Sequence, residues 1–255
     1  MTTWRDGKKY LSSLWLLDRE DERALDFRGA FIPQIAEGLI LRHTQPGDWI
    51  WDAMAGSGTT GMVAERLGRN WAMSDLSPRE DKPHIFEGNA RTLRWHEFSR
   101  SGERCPHPDI LPGDELKPIF QFDLIILHPP YHDIIKFSDK PGDLSNCEGL
   151  GQFYNLFYDV VENLGRHLKP QGYLGLVIGD VWVKGEACVE PLGFMCEEMA
   201  ERALGSGSRL KAIVVKDIKN NRHNAPRKNL MLSRFFRWGA VDFSHEYVFS
   251  IQKGK

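Results

Sequence analysis

The run His128-Pro129-Pro130-Tyr131 places an imidazole, two imino acids and a phenol directly after a strongly apolar stretch at 122–127. Proline has no backbone N–H, so the run offers carbonyl oxygens and side chains but few donors. That composition suits a demanding substrate. An exocyclic amine on a nucleobase is a poor nucleophile because its lone pair is delocalised into the ring. Acceptors that hold both amine hydrogens make the nitrogen more tetrahedral and free the lone pair for in-line attack on a sulfonium methyl. A rigid acceptor-only loop is preorganised for this task. Tyr131 supplies an aromatic face on which a flipped-out base stacks. The same residues also suit a tight turn that ends a buried strand, and the tetrapeptide alone leaves both readings open.

A second constellation is the run Asp52-Ala53-Met54-Ala55-Gly56-Ser57-Gly58-Thr59-Thr60. Small residues let the backbone approach a ligand closely, and a helix opening at Gly58-Thr59-Thr60 offers unpaired N–H groups. Such a loop serves a dinucleotide, a phosphate or S-adenosylmethionine. It lacks the lysine of a phosphate-binding G-x-x-x-x-G-K-[ST] loop, and its glycines at 56, 58 and 61 miss the G-x-G-x-x-G spacing by one residue. Asp75 ends the following strand, where a carboxylate accepts hydrogen bonds from both hydroxyls of a ribose. It equally suits the start of a turn at Leu76-Ser77-Pro78.

These residues need elements to position them. An arm at 1–28, partly helical around 11–17, precedes an amphipathic helix at 31–43, and a short strand at 49–52 leads into the glycine loop and a helix to about 67. Strands follow at 70–75, 84–87 and 122–127, then a helix at 155–168 and a strand at 173–178 after the turn at 169–172. A helix at 186–203 and strands at 210–215 and 247–251 complete the series. The alternation predicts an α/β fold: a doubly wound, mostly parallel, seven-stranded sheet occupying 29–255. Ligands in such sheets bind at the carboxyl ends of strands, and both constellations lie there.

The 255 residues suit one large domain of this kind, and a net charge of −2 confines any nucleic-acid surface to a local patch. The cysteines at 105, 147, 188 and 196 form no C-x-x-C pair, so a metal site is not expected and free thiols in a reducing cytoplasm are. No apolar run approaches the ~20 residues of a membrane span, and the first residues carry no signal-peptide core. A cytoplasmic protein without a membrane partner is therefore expected.

Taken together, these motifs resemble those of the amino-group DNA methyltransferases, which act on cytosine N4 or adenine N6. Residues 52–60 are similar to that family's D-P-F-A-G-S-G-T-T loop, with Ala53-Met54 in place of Pro-Phe. His128–Tyr131 resembles its [D/N/S]-P-P-[Y/F/W] catalytic loop, with histidine at an unusual position. The resemblance covers about residues 29–180 and runs weakly to the end, where His245-Glu246-Tyr247 is similar to a strand common in that family. It implies a fold of the S-adenosylmethionine-dependent, Rossmann-like type and S-adenosylmethionine as cofactor. It assigns Phe31 and Pro33 to the methionine end, Asp52, Ala53, Ala55, Gly56, Ser57, Gly58, Thr59 and Thr60 to the loop, Asp75 and Leu76 to the ribose, and Asn89 and Ala90 to the adenine. The catalytic set is His128, Pro129, Pro130 and Tyr131. A neutral His128 accepts a hydrogen bond whereas an imidazolium accepts none, so transfer should fall as pH drops below about 6.5.

Double-stranded DNA is the implied partner, in a modification role of the restriction-modification kind, with a homodimer or a specificity partner as further options. Between 209 and 237 lie nine Lys and Arg residues against Asp217 alone, together with asparagines and aromatics. Lys219, Arg222, Arg227 and Lys228 are the candidate DNA contacts. Insertions at 99–117 and 131–150 are also long enough to fold over a substrate, the second with His132, Asp133 and Lys136 nearest the chemistry. Competing functions are methylation of an RNA base or a protein glutamine, and a catalytically silent module that binds nucleic acid.

Overall fold

The computed structural model describes residues 10–17, 32–100, 103–108, 119–183, 188–218 and 243–255. In chain order they form β1 (Leu14–Trp15), α1 (Pro33–His43), β2 (Trp49–Asp52), α2 (Thr59–Arg66), β3 (Asn70–Asp75) and β4 (Phe86–Glu87). There follow β5 (Trp95–Arg100), β6 (Glu103–Pro108), β7 (Phe122–Leu127), α3 (Leu150–His167) and β8 (Leu168–Ile178). The remaining elements are β9 (Val181–Val183), β10 (Cys188–Glu190), α4 (Leu192–Leu204), β11 (Arg209–Asp217) and β12 (His245–Gln252).

Eight strands make one sheet in the order β1-β11-β12-β8-β7-β2-β3-β4. Strand β12 runs antiparallel to both neighbours, and every other pairing in this sheet is parallel. From β2 the chain builds outward through β3 and β4, then returns to lay β7 on the other edge of β2 and builds outward through β8. The order therefore reverses between β2 and β7, which opens the ligand crevice at their carboxyl ends.

Strand β7 shows why its sequence is so apolar. Leu124 and Ile126 pack with Ile35, Leu39, Ile40 and Val63 from the α1–α2 side. Ile125 and Leu127 pack with Phe153, Phe157, Val161 and Leu164 of α3 on the opposite side. Alternate side chains thus enter different cores, and both faces must be hydrophobic. Each fully buried aliphatic chain there contributes about 1.5–3 kcal/mol. Gly175 in β8 admits α1 closely, since a Cβ would lie 2.8 Å from Leu39 Cδ1.

Several expected elements differ. Residues 14–15, expected within a partly helical arm, form an eighth, edge strand parallel to β11, held by Val215 N–H donating to Ser13 O at 2.8 Å. The helix expected at 155–168 begins at Leu150, and the strand expected at 84–87 is only Phe86–Glu87. The helix expected from 186 starts at Leu192, because 188–190 pair with 181–183 as the β9–β10 hairpin and Pro191 caps the helix. Residues 169–172 are an irregularity within β8, with Gln171 at φ 64°, rather than a turn before it. The insertion at 99–117 contributes to an antiparallel hairpin, β5–β6.

Candidate active site

The glycine loop leaves β2 with Asp52 buried beneath it. Thr60 Oγ1 donates to Asp52 Oδ2, and Met54 N–H donates to Oδ1 at 3.2 Å. Burial pushes this carboxyl up to about 7, while the Thr60 and Met54 bonds pull the other way. The resemblance groups Asp52 with the cofactor contacts, yet its carboxylate bonds inward and sets the shape of the loop. Further fastenings run from Ala53 N–H to Ile126 O at 3.2 Å and from Ala55 N–H to Ser74 O at 3.0 Å. Gly56 and Gly58 adopt φ of 49° and 80°, a region that L side chains rarely occupy. No side chain caps α2 after Gly58, so the first-turn N–H groups of that helix face the loop without a protein side-chain acceptor.

Asp75 ends β3 beside this loop. Its Oδ2 accepts from Gly56 N–H at 2.9 Å and its Oδ1 from Ser77 N–H at 2.9 Å. The two readings of Asp75 are thus compatible: it turns the chain at Ser77, and a carboxylate with about four acceptor positions keeps capacity on each oxygen. Asn89 folds the next turn, its Oδ1 accepting from Arg91 N–H at 3.0 Å and its backbone O from Leu93 N–H at 2.7 Å. Asn163 of α3 donates to Ala90 O at 2.9 Å and fixes that turn to the core. Small residues, left-handed glycines, an uncapped helix start and a strand-end carboxylate together form a cradle that fits the amino-acid and ribose ends of S-adenosylmethionine.

The insertion at 131–150 reaches toward the same cradle. Lys140 Nζ donates to Leu76 O at 3.0 Å and pairs with Glu87. Gly142 sits so close that a Cβ there would lie 2.6 Å from Asn89 Nδ2. Asp143 stiffens this strap by accepting from Ser145 N–H at 2.8 Å and Ser138 Oγ at 2.6 Å. Lys136 and Asp133 are exposed, Lys136 pairing with Asp139 at 2.6 Å.

His128, Pro129, Pro130 and Tyr131 follow β7, the strand beside β2. Tyr131 OH donates to Glu246 Oε2 at 2.9 Å, and His128 Nε2 lies 3.3 Å from the same phenol oxygen. Lys216 Nζ lies 3.1 Å from Glu246 Oε1, with both side chains about a tenth exposed at 9% and 10%. Burial pushes the His128 imidazole below its ordinary range, which favours the neutral ring. Burial, then the Glu246 carboxylate, pushes the Tyr131 phenol well up. At Gly179 a Cβ would lie 3.1 Å from Tyr131 Cε2, so the end of β8 is shaped around this ring.

Gly179 and Lys140 have no counterpart among the sequence candidates, and Glu246 figures there only within the strand resemblance at His245-Glu246-Tyr247, without a role at the site. The Tyr131–Glu246 bond spans 115 positions, and no local pattern signals a pairing at that distance. Lys216 belongs to the basic segment of the sequence, but it is buried against Glu246 and unavailable to a phosphate, whereas Arg209 and Lys211 are exposed on β11. Phe31 and the candidate DNA contacts Lys219, Arg222, Arg227 and Lys228 lie outside the described residues. Pro33 occupies the first turn of α1. Among the described residues no helix is long and apolar enough to cross a membrane.

Residues 3–82 match the family model of N6/N4-type DNA methylases. A Type II methyltransferase of Lactococcus lactis subsp. cremoris is 38% identical over 74 residues, covering 28% of this chain and 27% of that protein. A Type II methyltransferase of Streptococcus pneumoniae is 54% identical over 37 residues, 14% of each chain. The matched stretches thus span about a quarter or less of these relatives' length. A solved structure described as a methyltransferase of Bacillus halodurans C-125 is similar in fold, with a TM-score of 0.50, 10% identity and coverage of 86% of this chain and 99% of that one.

Proposed function

We propose that this chain, which belongs through its amino-terminal third to the N6/N4 DNA methylase family, methylates an exocyclic amine in double-stranded DNA. The methyl donor is S-adenosylmethionine, and the acceptor is cytosine N4 or adenine N6. One observation carries the reading. Strands β2 and β7 are direct neighbours, with Asp52 in register with Ile126, so the cofactor cradle and the acceptor loop emerge side by side at the sheet's switch point.

In this reading each site residue has a role. Residues 53–60 and the start of α2 hold the carboxylate through backbone N–H groups, and Asp75 accepts from the ribose. When bound, S-adenosylmethionine supplies an electrophilic methyl. The proline carbonyls and neutral His128 accept from the target amine, and Tyr131 stacks on the extruded base. Lys219, Arg222, Arg227 and Lys228 contact the DNA backbone and base edges. The Type II methyltransferases among the relatives support a modification role of the restriction-modification kind.

Incubation with S-adenosylmethionine carrying a tritiated methyl, alongside duplex DNA, RNA and protein as separate acceptors, tests this reading. Label should enter duplex DNA and depend on Asp75 and Tyr131. Label confined to RNA or protein would replace the DNA reading with the corresponding alternative. Cofactor binding without transfer to any acceptor would make the chain a silent module.

A further inference from the structure

The segment that follows the acceptor loop carries a turn whose sequence explains its shape. In Lys140-Pro141-Gly142-Asp143 the Asp143 N–H donates to Lys140 O at 3.3 Å, and Gly142 holds φ 87°. Proline second and a left-handed glycine third are the residues a type II turn demands. The turn is braced from behind: Phe137 N–H donates to Ser145 Oγ at 3.0 Å, Asn146 Nδ2 donates to Ser138 O at 2.8 Å, and Leu144 is buried in the core beneath α3. Its tip meets the cofactor cradle through Lys140, which donates to Leu76 O at 3.0 Å and pairs with Glu87, and through Gly142 against Asn89.

The sheet fastens this part of the cradle lightly. Strand β4 is the sheet edge, and it meets β3 through the pairs Ser74–Phe86 and Asp75–Glu87. Leu76 follows β3 and Glu87 ends β4, so the Lys140 ammonium spans the joint between them. We infer that Lys140 is a positioning residue for S-adenosylmethionine, and that the turn Lys140–Asp143 is a third wall of the nucleoside pocket. Lys140 clips the ribose turn to the adenine turn, a task that suits a compact cation with three rotatable donors. Gly142 sets the Asn89 amide, since a Cβ there would lie 2.6 Å from Asn89 Nδ2. The inference rests on the reading of Asp75 as the ribose acceptor and Asn89 as the adenine contact.

Calorimetry with S-adenosylhomocysteine, together with hydrogen exchange of the complex, tests it. Binding should slow exchange across residues 138–146 of the unaltered protein. Lys140→Met should weaken binding by about tenfold and remove that slowing, whereas Lys140→Arg keeps the charge and donors and should recover most of the affinity. Lys140 is partly exposed, so the melting temperature of the ligand-free protein should hardly move. Gly142→Ala should weaken binding as well, by pressing Asn89 aside. Unchanged affinity in both Lys140→Met and Gly142→Ala, or no slowing across 138–146, would overturn the proposal. So would a loss of affinity that Lys140→Arg fails to recover and that accompanies a lower melting temperature, which would make Lys140 structural only. Unchanged affinity in Asp75→Ala would instead remove the ribose assignment, and this proposal with it.

Discussion

Tyr131 and Glu246 meet at 2.9 Å across 115 positions of the chain, one following β7 and the other within the antiparallel strand β12. The bond ties the acceptor loop to the far half of the sheet. It makes His128 and Tyr131 part of a half-buried hydrogen-bonded network instead of a solvent-facing turn. Such links between a loop and the sheet that carries it have measurable consequences.

Activity should depend on pH through His128. Burial lowers its pKa from the ordinary value of 6.5, so the neutral, accepting ring persists into more acidic solution than a free histidine allows. Single-turnover methylation should decline on acidification only below pH 6.5, and the His128-dependent limb should vanish in His128→Asn. A limb centred at or above 6.5 would contradict the assigned environment, and a pH profile in His128→Asn identical to that of the unaltered protein would leave the proline carbonyls as the working acceptors.

Asp52 and Thr60 link stability to binding. Thr60→Val deletes a donor to a buried carboxylate and should destabilise the fold by about 1–3 kcal/mol. Because the same bond shapes residues 53–59, cofactor affinity should fall as well. Denaturant titration and calorimetry measure the two effects, and unaltered cofactor affinity would show that the loop keeps its form without the bond.

Gly179 probes the ring of Tyr131. A methyl at this position would press within 3.1 Å of Tyr131 Cε2, and the hydroxyl end is pinned by Glu246, so the ring has little freedom to yield. Gly179→Ala should lower kcat by about tenfold and leave S-adenosylmethionine binding unchanged. Weakened cofactor binding with unimpaired kcat would place Gly179 outside the acceptor site.

The basic segment has its own test. Neutralising Arg222, Arg227 and Lys228 together should weaken DNA binding, and the salt slope should become shallower by about 0.9 for every phosphate that is no longer neutralised. Lys216→Met should not change the slope, since Lys216 is buried against Glu246. An unaltered slope in the triple variant would discard these residues as DNA contacts.

The sequence and the structure agree where local patterning is strong. Strands β2, β3 and β7 run as read because each is a short apolar run bounded by turn residues or a glycine loop, and each is covered on both faces. Agreement fails where the decisive partner is distant or the pattern is shared between structures. Residues 186–190 contain Glu and Ala and lead toward a helix, yet 188–190 pair with β9 as a hairpin. The edge strand at Leu14–Trp15 is only two residues long and is defined by β11, some 200 positions away, with Leu17 N–H reaching Asp217 Oδ1 at 3.1 Å. At the site, the glycine loop and the Pro-Pro loop are legible because their chemistry is contiguous. Glu246, Lys216 and Gly179 are not, because only the sheet order brings their strands together behind Tyr131.

Amine methylation of DNA is tested by nucleoside mass spectrometry on duplex DNA after incubation with S-adenosylmethionine carrying a deuterated methyl. Labelled N4-methylcytosine or N6-methyladenine is expected, lost when Tyr131 is replaced by alanine. Labelled 5-methylcytosine, or no labelled nucleoside in DNA while cofactor binds normally, would contradict it.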